Sequence, residues 1–453
     1  MTDWTALARA RVRPERLAEL VCGLVERPSP TGDELAVASY AADVLADAGL
    51  AADVQPLDAR QANARARLPG TGQGSALLLY APIDTLTTGL PEADAPWTGP
   101  ERTRQAEPWP PQAGAPAQEE RLPDPGPGLR PDLLPEPRVF GDHVVGLGAG
   151  NPKGHAACVL AAAEAIAAAG VPLAGDLLVG LGAGGMPTNA LRLGGDPRRH
   201  TGQGVGCSFL LEQGWWADHA VIAKPGWAAA HEEVGLAWFD VRVPGTHTYV
   251  GSRHRMPYRN AIAAAADVVA RLEEWFAEYA AAHTEGTCAP QGIVASITAG
   301  NPRMAAVTPA ECVIRCDVRL TPGTSPLAVK RELEAVLGGS DARCELVLAI
   351  PGTRTDPADP VVRAAVAAWE ELEGRPHQPM TGMSGATDAN ILRGRGIPTV
   401  RIGMPKPDTK DLPVDPSTDF AMGMNTVDVR QMVRLTHALI RIALDVTGVA
   451  DAR

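Results

Sequence analysis

The spacing of apolar residues along the chain predicts a succession of helices and strands. Leu17, Leu20 and Leu24 lie three or four residues apart, so they share one face of an amphipathic helix. The run Ala76–Tyr80 is continuous in apolar residues, which is typical of a strand in a sheet covered on both faces. Up to residue 222, these patterns predict helices over Glu15–Val25, Glu34–Ala48 and His155–Ala169, and strands over Ala51–Leu57, Ala76–Tyr80, Asp176–Leu181 and Asp218–Ile222.

The order of predicted elements changes from about Gly235. The next six are strand, helix, strand, strand, helix and strand, which is the order of a ferredoxin-like unit. They cover Ala237–Val243, Asn260–Ala281, Gly292–Ala299, Glu311–Leu320, Ser325–Leu337 and Cys344–Leu348. After them come a helix over Asp359–Glu373, a strand over Pro398–Ile402 and a closing helix over Val427–Thr447.

We therefore predict an α/β fold, a doubly wound and mostly parallel sheet, interrupted by a smaller α+β domain. The predicted boundaries are 1–228 and 352–453 for the first domain and 229–351 for the second. A segment over about 90–137 is dense in Pro, Glu and Gln and lacks periodicity, so we interpret it as a long polar loop or a partly disordered insertion. This segment begins shortly after Asp84. It is therefore either a flap that covers a functional site at Asp84 or a tolerated insertion.

Composition and charge narrow the class of protein. The net charge of -12 argues against nucleic acid or an anionic membrane as the partner. Seven cysteines are scattered without any C-x-x-C pair, which fits a reducing compartment. The first residues lack the apolar core of a signal peptide and no run of 18 apolar residues exists, so we expect a cytoplasmic location.

Two stretches carry the framework of a two-metal hydrolase site. LLLYAPIDT, over Leu77–Thr85, is a predicted strand that ends in x-x-Asp. GLGAGNPKG, over Gly146–Gly154, is a Gly-rich turn that ends in Lys-Gly and opens an Ala-rich helix. The arrangement is that of a metallohydrolase, but most of the expected metal-binding residue types are missing from it.

These stretches are followed, in order, by AVIAKPG, VRVPGTHTYVGSRHRMPYRNAIAAAADVV, CVIRCDVRLTPG and GATDANILRGRGIPTVRIG. With PSPTGDE near the start, the chain resembles the di-zinc aminoacylases and exopeptidases. That family includes acetylornithine deacetylase, succinyl-diaminopimelate desuccinylase and the glutamate carboxypeptidases. The resemblance covers nearly the whole chain apart from the Pro-rich segment. It implies a zinc-exopeptidase-like fold whose ferredoxin-like lid domain joins two copies into a homodimer.

In that family, two zinc ions are held by His, Asp and Glu side chains, and a neighbouring Glu is the general base. Asp84 keeps one of these positions, and the others carry different residue types. The family's positions fall on Pro82 for the first His, Asn151 for the bridging Asp, Gly184-Gly185-Met186 for the Glu-Glu pair, Lys224 for the acid before Pro, and near Ala421 or Met422 for the distant His. We therefore expect no zinc pair and no other cofactor.

The candidate site is the set of polar residues around these positions. Lys224 places an ammonium where the family has an acid, and its charge would compensate Asp84. His247 matches a lid His that, in the family, reaches across the dimer to polarise the substrate carbonyl. The alternative roles are a first-turn helix residue in solvent for His155 and a helix N-cap for Asp388. The catalytic candidates are Lys224, Asp84, His247 and His155, and the substrate-binding candidates are Asn151, Lys153, Arg319, Asn260 and Asp388.

Three functions remain open at this point. The first is a metal-independent amidohydrolase-like enzyme that acts on a small peptide-like or acylamino-acid amide, with Lys and backbone amides stabilising an oxyanion. The second is a non-catalytic relative that binds a small carboxylate or amide in the same cleft. The third is an inactive subunit that pairs with an active paralogue and donates lid residues to it.

Overall fold

The computed structural model describes residues 2–86, 132, 134–189, 198–410, 412 and 424–450. Most of the predicted Pro-rich insertion, and the expected position of the distant His near Ala421 or Met422, lie outside the described residues. The chain divides into two compact units. The α/β unit comprises Met1–His231, Thr355–Gln378 and Arg395–Arg453, and the sandwich unit comprises Glu232–Arg354 and Pro379–Gly394.

A six-stranded sheet forms the centre of the α/β unit. Its strand order is β1-β2-β6-β3-β7-β14, and the four strands from β6 to β14 run parallel. β1 and β2 are antiparallel to their neighbours, so the predicted mostly parallel sheet is confirmed. The strands are β1 (Ala51–Pro56), β2 (Ala62–Leu68), β3 (Leu77–Pro82), β6 (Leu177–Gly182), β7 (His219–Ala223) and β14 (Thr399–Ile402).

Most helices of the α/β unit bury their apolar faces in one core. Nearly every residue of α4 is buried, because its Ala side chains let α2, α10 and β3 pack closely around it. The helices are α1 (Trp4–Arg9), α2 (Pro14–Val25), α3 (Leu35–Asp47), α4 (His155–Ala168), α5 (Val205–Glu212), α8 (Pro360–Glu373) and α10 (Val429–Thr447). A small three-stranded sheet joins β4 (Arg138–Phe140), β5 (His143–Val145) and β15 (Thr426–Asp428).

The sandwich unit has the predicted ferredoxin-like order. Its antiparallel sheet runs β10-β11-β9-β12, and alternate residues of β11 are buried, as expected for a sheet covered on one face. The elements are β9 (Gly235–Pro244), α6 (Ala261–His283), β10 (Gly292–Ala299), β11 (Glu311–Leu320), α7 (Pro326–Val336) and β12 (Arg343–Ile350). The short strands β8 (Glu232–Glu233) and β13 (Thr353–Arg354) and the helix α9 (Ala389–Gly394) complete the unit.

None of the helices in the described part of the chain combines the length and the apolar character that crossing a membrane requires.

Candidate functional site

Asp84 follows β3 and is completely buried. The amides of Gly185 and Met186 donate to its Oδ1 and Oδ2, at 2.8 and 3.0 Å, and Thr31 Oγ1 donates to Oδ2 at 2.6 Å. Burial raises the pKa of Asp84, whereas these hydrogen bonds and the nearby charge of Lys224 act to lower it. Both carboxylate oxygens are therefore held in place by donors of the protein itself.

Lys224 follows β7 and is 6% exposed. Its Nζ donates to Asn151 Oδ1 at 3.0 Å, and its charge acts on Asp84. Asn151 has extended backbone angles within the turn Ala149–Gly154, and its amide donates to the Met424 carbonyl at 2.9 Å. The structure therefore brings three of the predicted site residues together at the carboxyl ends of neighbouring parallel strands, where α/β folds bind ligands.

His155 opens α4 and is buried, so the alternative of a solvent-exposed helix residue is wrong. Its Nδ1 lies 2.8 Å from the Gly150 carbonyl, and its Nε2 accepts from the Met404 amide at 3.2 Å. This pattern places the single proton on Nδ1. Burial lowers the pKa of His155 to about 3, so the ring is neutral. Both ring nitrogens are engaged by the backbone.

Glycine at position 403 lets β14 approach this region closely. A Cβ atom there would lie 1.7 Å from the Lys224 carbonyl oxygen and 2.9 Å from His155 Nε2. Only glycine permits that approach without moving the backbone. Gly403 therefore helps to fix Lys224 relative to His155.

Lys153 is completely buried in the same turn. Its Nζ donates to the Arg27 carbonyl at 2.9 Å, which ties the turn Ala149–Gly154 to the segment after α2. Burial lowers the pKa of Lys153 to about 7. From the sequence, Lys153 is expected either to bind substrate or only to close the turn into the helix. Its contact with the Arg27 carbonyl shows that this amine holds the turn in place.

Glu34 is a buried acid that the sequence reasoning missed. Its Oε1 accepts from the amides of Gly32 and Gly184, at 2.9 and 3.0 Å. Burial, followed by the charge of Asp84, raises the pKa of Glu34 to about 8. The residue was interpreted only as the start of a helix. The available signal was an acid in the turn PSPTGDE, directly before the apolar face of α3 begins.

The other four candidates lie in the sandwich unit. His247 is exposed, and its Nδ1 lies 2.8 Å from the Thr308 carbonyl. Asn260 caps α6 by accepting from two amides of its first turn, and Arg319 pairs with Asp317 at 2.9 Å. Asp388 is 4% exposed and precedes α9. The structure thus gives Asn260 and Arg319 local partners within their own unit.

The described residues do not fit a zinc pair. Structural and catalytic zinc sites need at least three imidazole, thiolate or carboxylate ligands for each ion. Among the residues with a described placement, no group of three or more His, Cys, Asp or Glu side chains is arranged to hold a metal ion. The Lys224 ammonium follows β7 and donates to the Asn151 amide in the turn Ala149–Gly154, and an ammonium group cannot coordinate zinc.

Comparison with known proteins gives a sequence match to one family model and matches in fold to several solved structures. Residues 231–342 match the family model described as the peptidase dimerisation domain. The structure of human carnosine dipeptidase 1 has a TM-score of 0.64 and 14% identity, and the match covers 99% of each chain.

Two further solved structures give a similar result. Aminopeptidase PepT from Bacillus cereus has a TM-score of 0.62 and 16% identity, over 97% of this chain and 100% of that chain. The metallo-carboxypeptidase Sso-CP2 of the M20 family from Sulfolobus solfataricus has a TM-score of 0.62 and 14% identity, over 96% and 99%. At such identities, the likeness to solved structures establishes the shared fold. The chain thus contains a peptidase dimerisation domain and has the fold of the M20 family peptidases.

Proposed function

We propose that the chain is a peptidase-like hydrolase that acts, without a zinc pair, on a small peptide-like or acylamino-acid amide. The observation that carries the proposal is the contact between Lys224 Nζ and Asn151 Oδ1 beside the buried Asp84. A cation and an amide stand where the resemblance expects metal-binding acids. The match of the fold to M20 peptidases and dipeptidases supports an amide as the substrate class.

The proposed role of Lys224 is electrostatic. Amide hydrolysis develops negative charge on the carbonyl oxygen, and a fixed cation in a water-poor site stabilises that charge strongly. Asp84 and Lys224 would act as a pair of opposite charges, since the charge of Lys224 acts on Asp84. Asn151 would orient the ammonium through its Oδ1.

The proposed acid/base group is His247. Its Nδ1 donates to the Thr308 carbonyl, which leaves the proton of a neutral ring on Nδ1 and a lone pair on Nε2. His247 is exposed, as a group that must meet a substrate has to be. The resemblance implies that a second copy supplies this side chain, and the match to a peptidase dimerisation domain supports a homodimer.

A second candidate function is binding of the same ligand class without turnover. It is favoured by one observation, which is that the hydrogen-bonding atoms of Asp84 and His155 are already engaged by the protein. A general base must be within hydrogen-bond reach of the proton it removes. If His247 does not supply that base, the α/β unit would act as a sensor of small amides or carboxylates.

A hydrolysis assay in the presence of a chelator separates the two functions. We would incubate the full chain with sets of dipeptides and N-acetyl amino acids in EDTA and measure the released amine. The proposal expects turnover that EDTA does not reduce, that Lys224→Met abolishes, and that His247→Ala lowers at least about a hundredfold.

The control is Lys330→Met, which removes a lysine paired with Glu334 on the helix α7 of the sandwich unit. It should leave turnover unchanged. Saturable binding of the same compounds without release of amine would establish the second candidate instead. Turnover that EDTA abolishes and zinc restores would overturn the proposal.

A further inference from the structure

Glu34 directly precedes α3 and is completely buried. Its Oε1 accepts from the amides of Gly32 and Gly184 and, at 3.3 Å, from Gln61 Nε2. Its Oε2 has no hydrogen-bond partner within the described part of the chain. An ionised carboxylate pays a large desolvation cost when one of its oxygens is buried and accepts no hydrogen bond. A neutral carboxylic acid avoids most of that cost.

The turn that Glu34 contacts also holds Asp84. Three consecutive amides point to two acids: Gly184 donates to Glu34, and Gly185 and Met186 donate to Asp84. Gly184 has φ +63°, and a Cβ atom there would lie 2.1 Å from the Thr201 carbonyl oxygen. The turn therefore has one tightly constrained shape, and the Glu34 contact is made at its first residue.

We propose that Glu34 is a positioning residue for Asp84: as a neutral carboxylic acid, it fixes the Gly184–Met186 turn so that the next two amides hold the Asp84 carboxylate beside Lys224. The inference rests on the proposed function, because Asp84 and Lys224 belong to the same site. Glu34 has no role in contacting the substrate. Its effect passes through the backbone of the turn.

The charges around Glu34 support a neutral form. Asp84 is the acid whose charge acts on Glu34, and Lys224 is the cation whose charge acts on Asp84. Around the turn that precedes α3, Asp33 forms an ion pair with Arg60, and Arg198 donates to the Gly32 carbonyl. The neighbouring side chain directly before β2 is the uncharged Gln61. An ionised Glu34 would thus add a second negative charge to a site with one buried cation.

This placement predicts a direction for the pH dependence of stability. Burial and the Asp84 charge raise the pKa of Glu34 to about 8, compared with 4.5 as its ordinary value. Between these two values the folded chain holds a proton that the unfolded chain has lost. The contribution of Glu34 to stability is therefore complete below about pH 4.5 and is lost as the pH rises through about 8.

The test is hydrogen exchange of the Gly184–Met186 amides, measured by mass spectrometry on the full chain without substrate. Glu34→Gln keeps the acceptor oxygen and removes the acidic proton, so exchange should stay within about twofold of wild type. Glu34→Ala removes the acceptor, so exchange should accelerate about tenfold or more. Asp33→Asn is the matched control, since it removes a neighbouring acid that pairs with Arg60, and it should leave exchange unchanged.

Two results would overturn the inference. If Glu34→Gln exchanged as fast as Glu34→Ala, the negative charge and not the acceptor would be what holds the turn. If Glu34→Ala exchanged like wild type, Glu34 would not position the turn at all.

If Glu34→Ala fails to fold, the melting temperatures of wild type and Glu34→Gln between pH 5 and 9 test whether Glu34 is neutral in the folded chain. The melting temperature of wild type must fall relative to that of Glu34→Gln as the pH rises. Parallel profiles would contradict a neutral Glu34. None of these measurements uses a substrate, so they can succeed or fail independently of the hydrolysis assay.

Discussion

The catalytic candidate in the sandwich unit, His247, is far more exposed than the candidates in the α/β unit. In the α/β unit, Asp84, Lys153 and His155 are almost completely buried, and their hydrogen-bonding atoms contact other parts of the protein. In the sandwich unit, His247 is exposed, and its Nδ1 lies 2.8 Å from the backbone carbonyl of Thr308. Substitution of these buried residues should therefore change stability, whereas substitution of His247 should change chemistry alone.

The largest expected effect is that of Lys224→Met. It leaves the buried Asp84 without its nearby cation, so the free energy of unfolding should fall by about 3 kcal/mol. Urea denaturation measures the change. Lys330→Met removes an exposed ion pair with Glu334 and should cost less than about 1 kcal/mol. Equal losses in the free energy of unfolding for the two variants would show that burial of Lys224 does not increase its contribution to stability.

A second prediction concerns His155→Ala. It leaves the Gly150 carbonyl and the Met404 amide without their side-chain partner, so the free energy of unfolding should fall by about 2 kcal/mol at pH 7. The pKa of His155 is lowered to about 3, so the unfolded chain takes up a proton first as the pH falls below 6.5. The stabilisation from His155 is therefore present above about pH 6.5 and is lost towards pH 3.

Urea denaturation at a series of pH values checks this prediction. The difference between wild type and His155→Ala should shrink from pH 7 to pH 4. His254→Ala is the control, because His254 is exposed in the sandwich unit, and it should leave the profile of wild type unchanged. A constant difference across the series would show that folding does not shift the pKa of His155.

Lys153→Met should have a smaller effect at neutral pH. The variant loses one hydrogen bond to the Arg27 carbonyl, worth about 1 kcal/mol, but no longer buries an amine. Because the pKa of Lys153 is lowered to about 7 from 10.5, wild type gains stability as the pH rises between these values. The free energy of unfolding of the variant, measured by urea denaturation, should therefore fall relative to that of wild type from pH 7 to pH 10. A difference that stays level over this range would mean that Lys153 is not neutralised by folding.

The smallest effect on stability is expected for His247→Ala. Because the side chain is exposed, the free energy of unfolding should change by about 0.5 kcal/mol or less. Turnover of the proposed amide substrate should nevertheless fall at least about a hundredfold. A loss of stability as large as that of Lys224→Met would remove the distinction between the two units.

Much of the fold could be predicted from the sequence because apolar spacing reports burial directly. Gly292–Ala299 and Glu311–Leu320 were predicted with the bounds that the structure has. The strand Ala62–Leu68 was missed, although Ala62, Ala64 and Ala66 alternate with polar residues as a strand requires. Alanine is a weak strand former, so the alternation was the available signal, and it was overlooked.

The candidate site could be predicted only in part. The order of the motifs located Asp84, Asn151 and Lys224, which the structure brings together. Hydrogen-bond partners depend on the tertiary fold, so the backbone contacts of His155 and the burial of Glu34 could not follow from sequence spacing. The difference between the two units therefore depends on the tertiary fold.

We propose above all that Asp84, Asn151 and Lys224 form a site that does not hold a zinc pair. Calorimetric titration of zinc into the EDTA-treated full chain, combined with elemental analysis after dialysis, tests this claim most directly. The account predicts no saturable binding at two equivalents and no zinc retained in stoichiometric amount. Two zinc ions bound per chain, with affinity lost on Asp84→Asn, would contradict it.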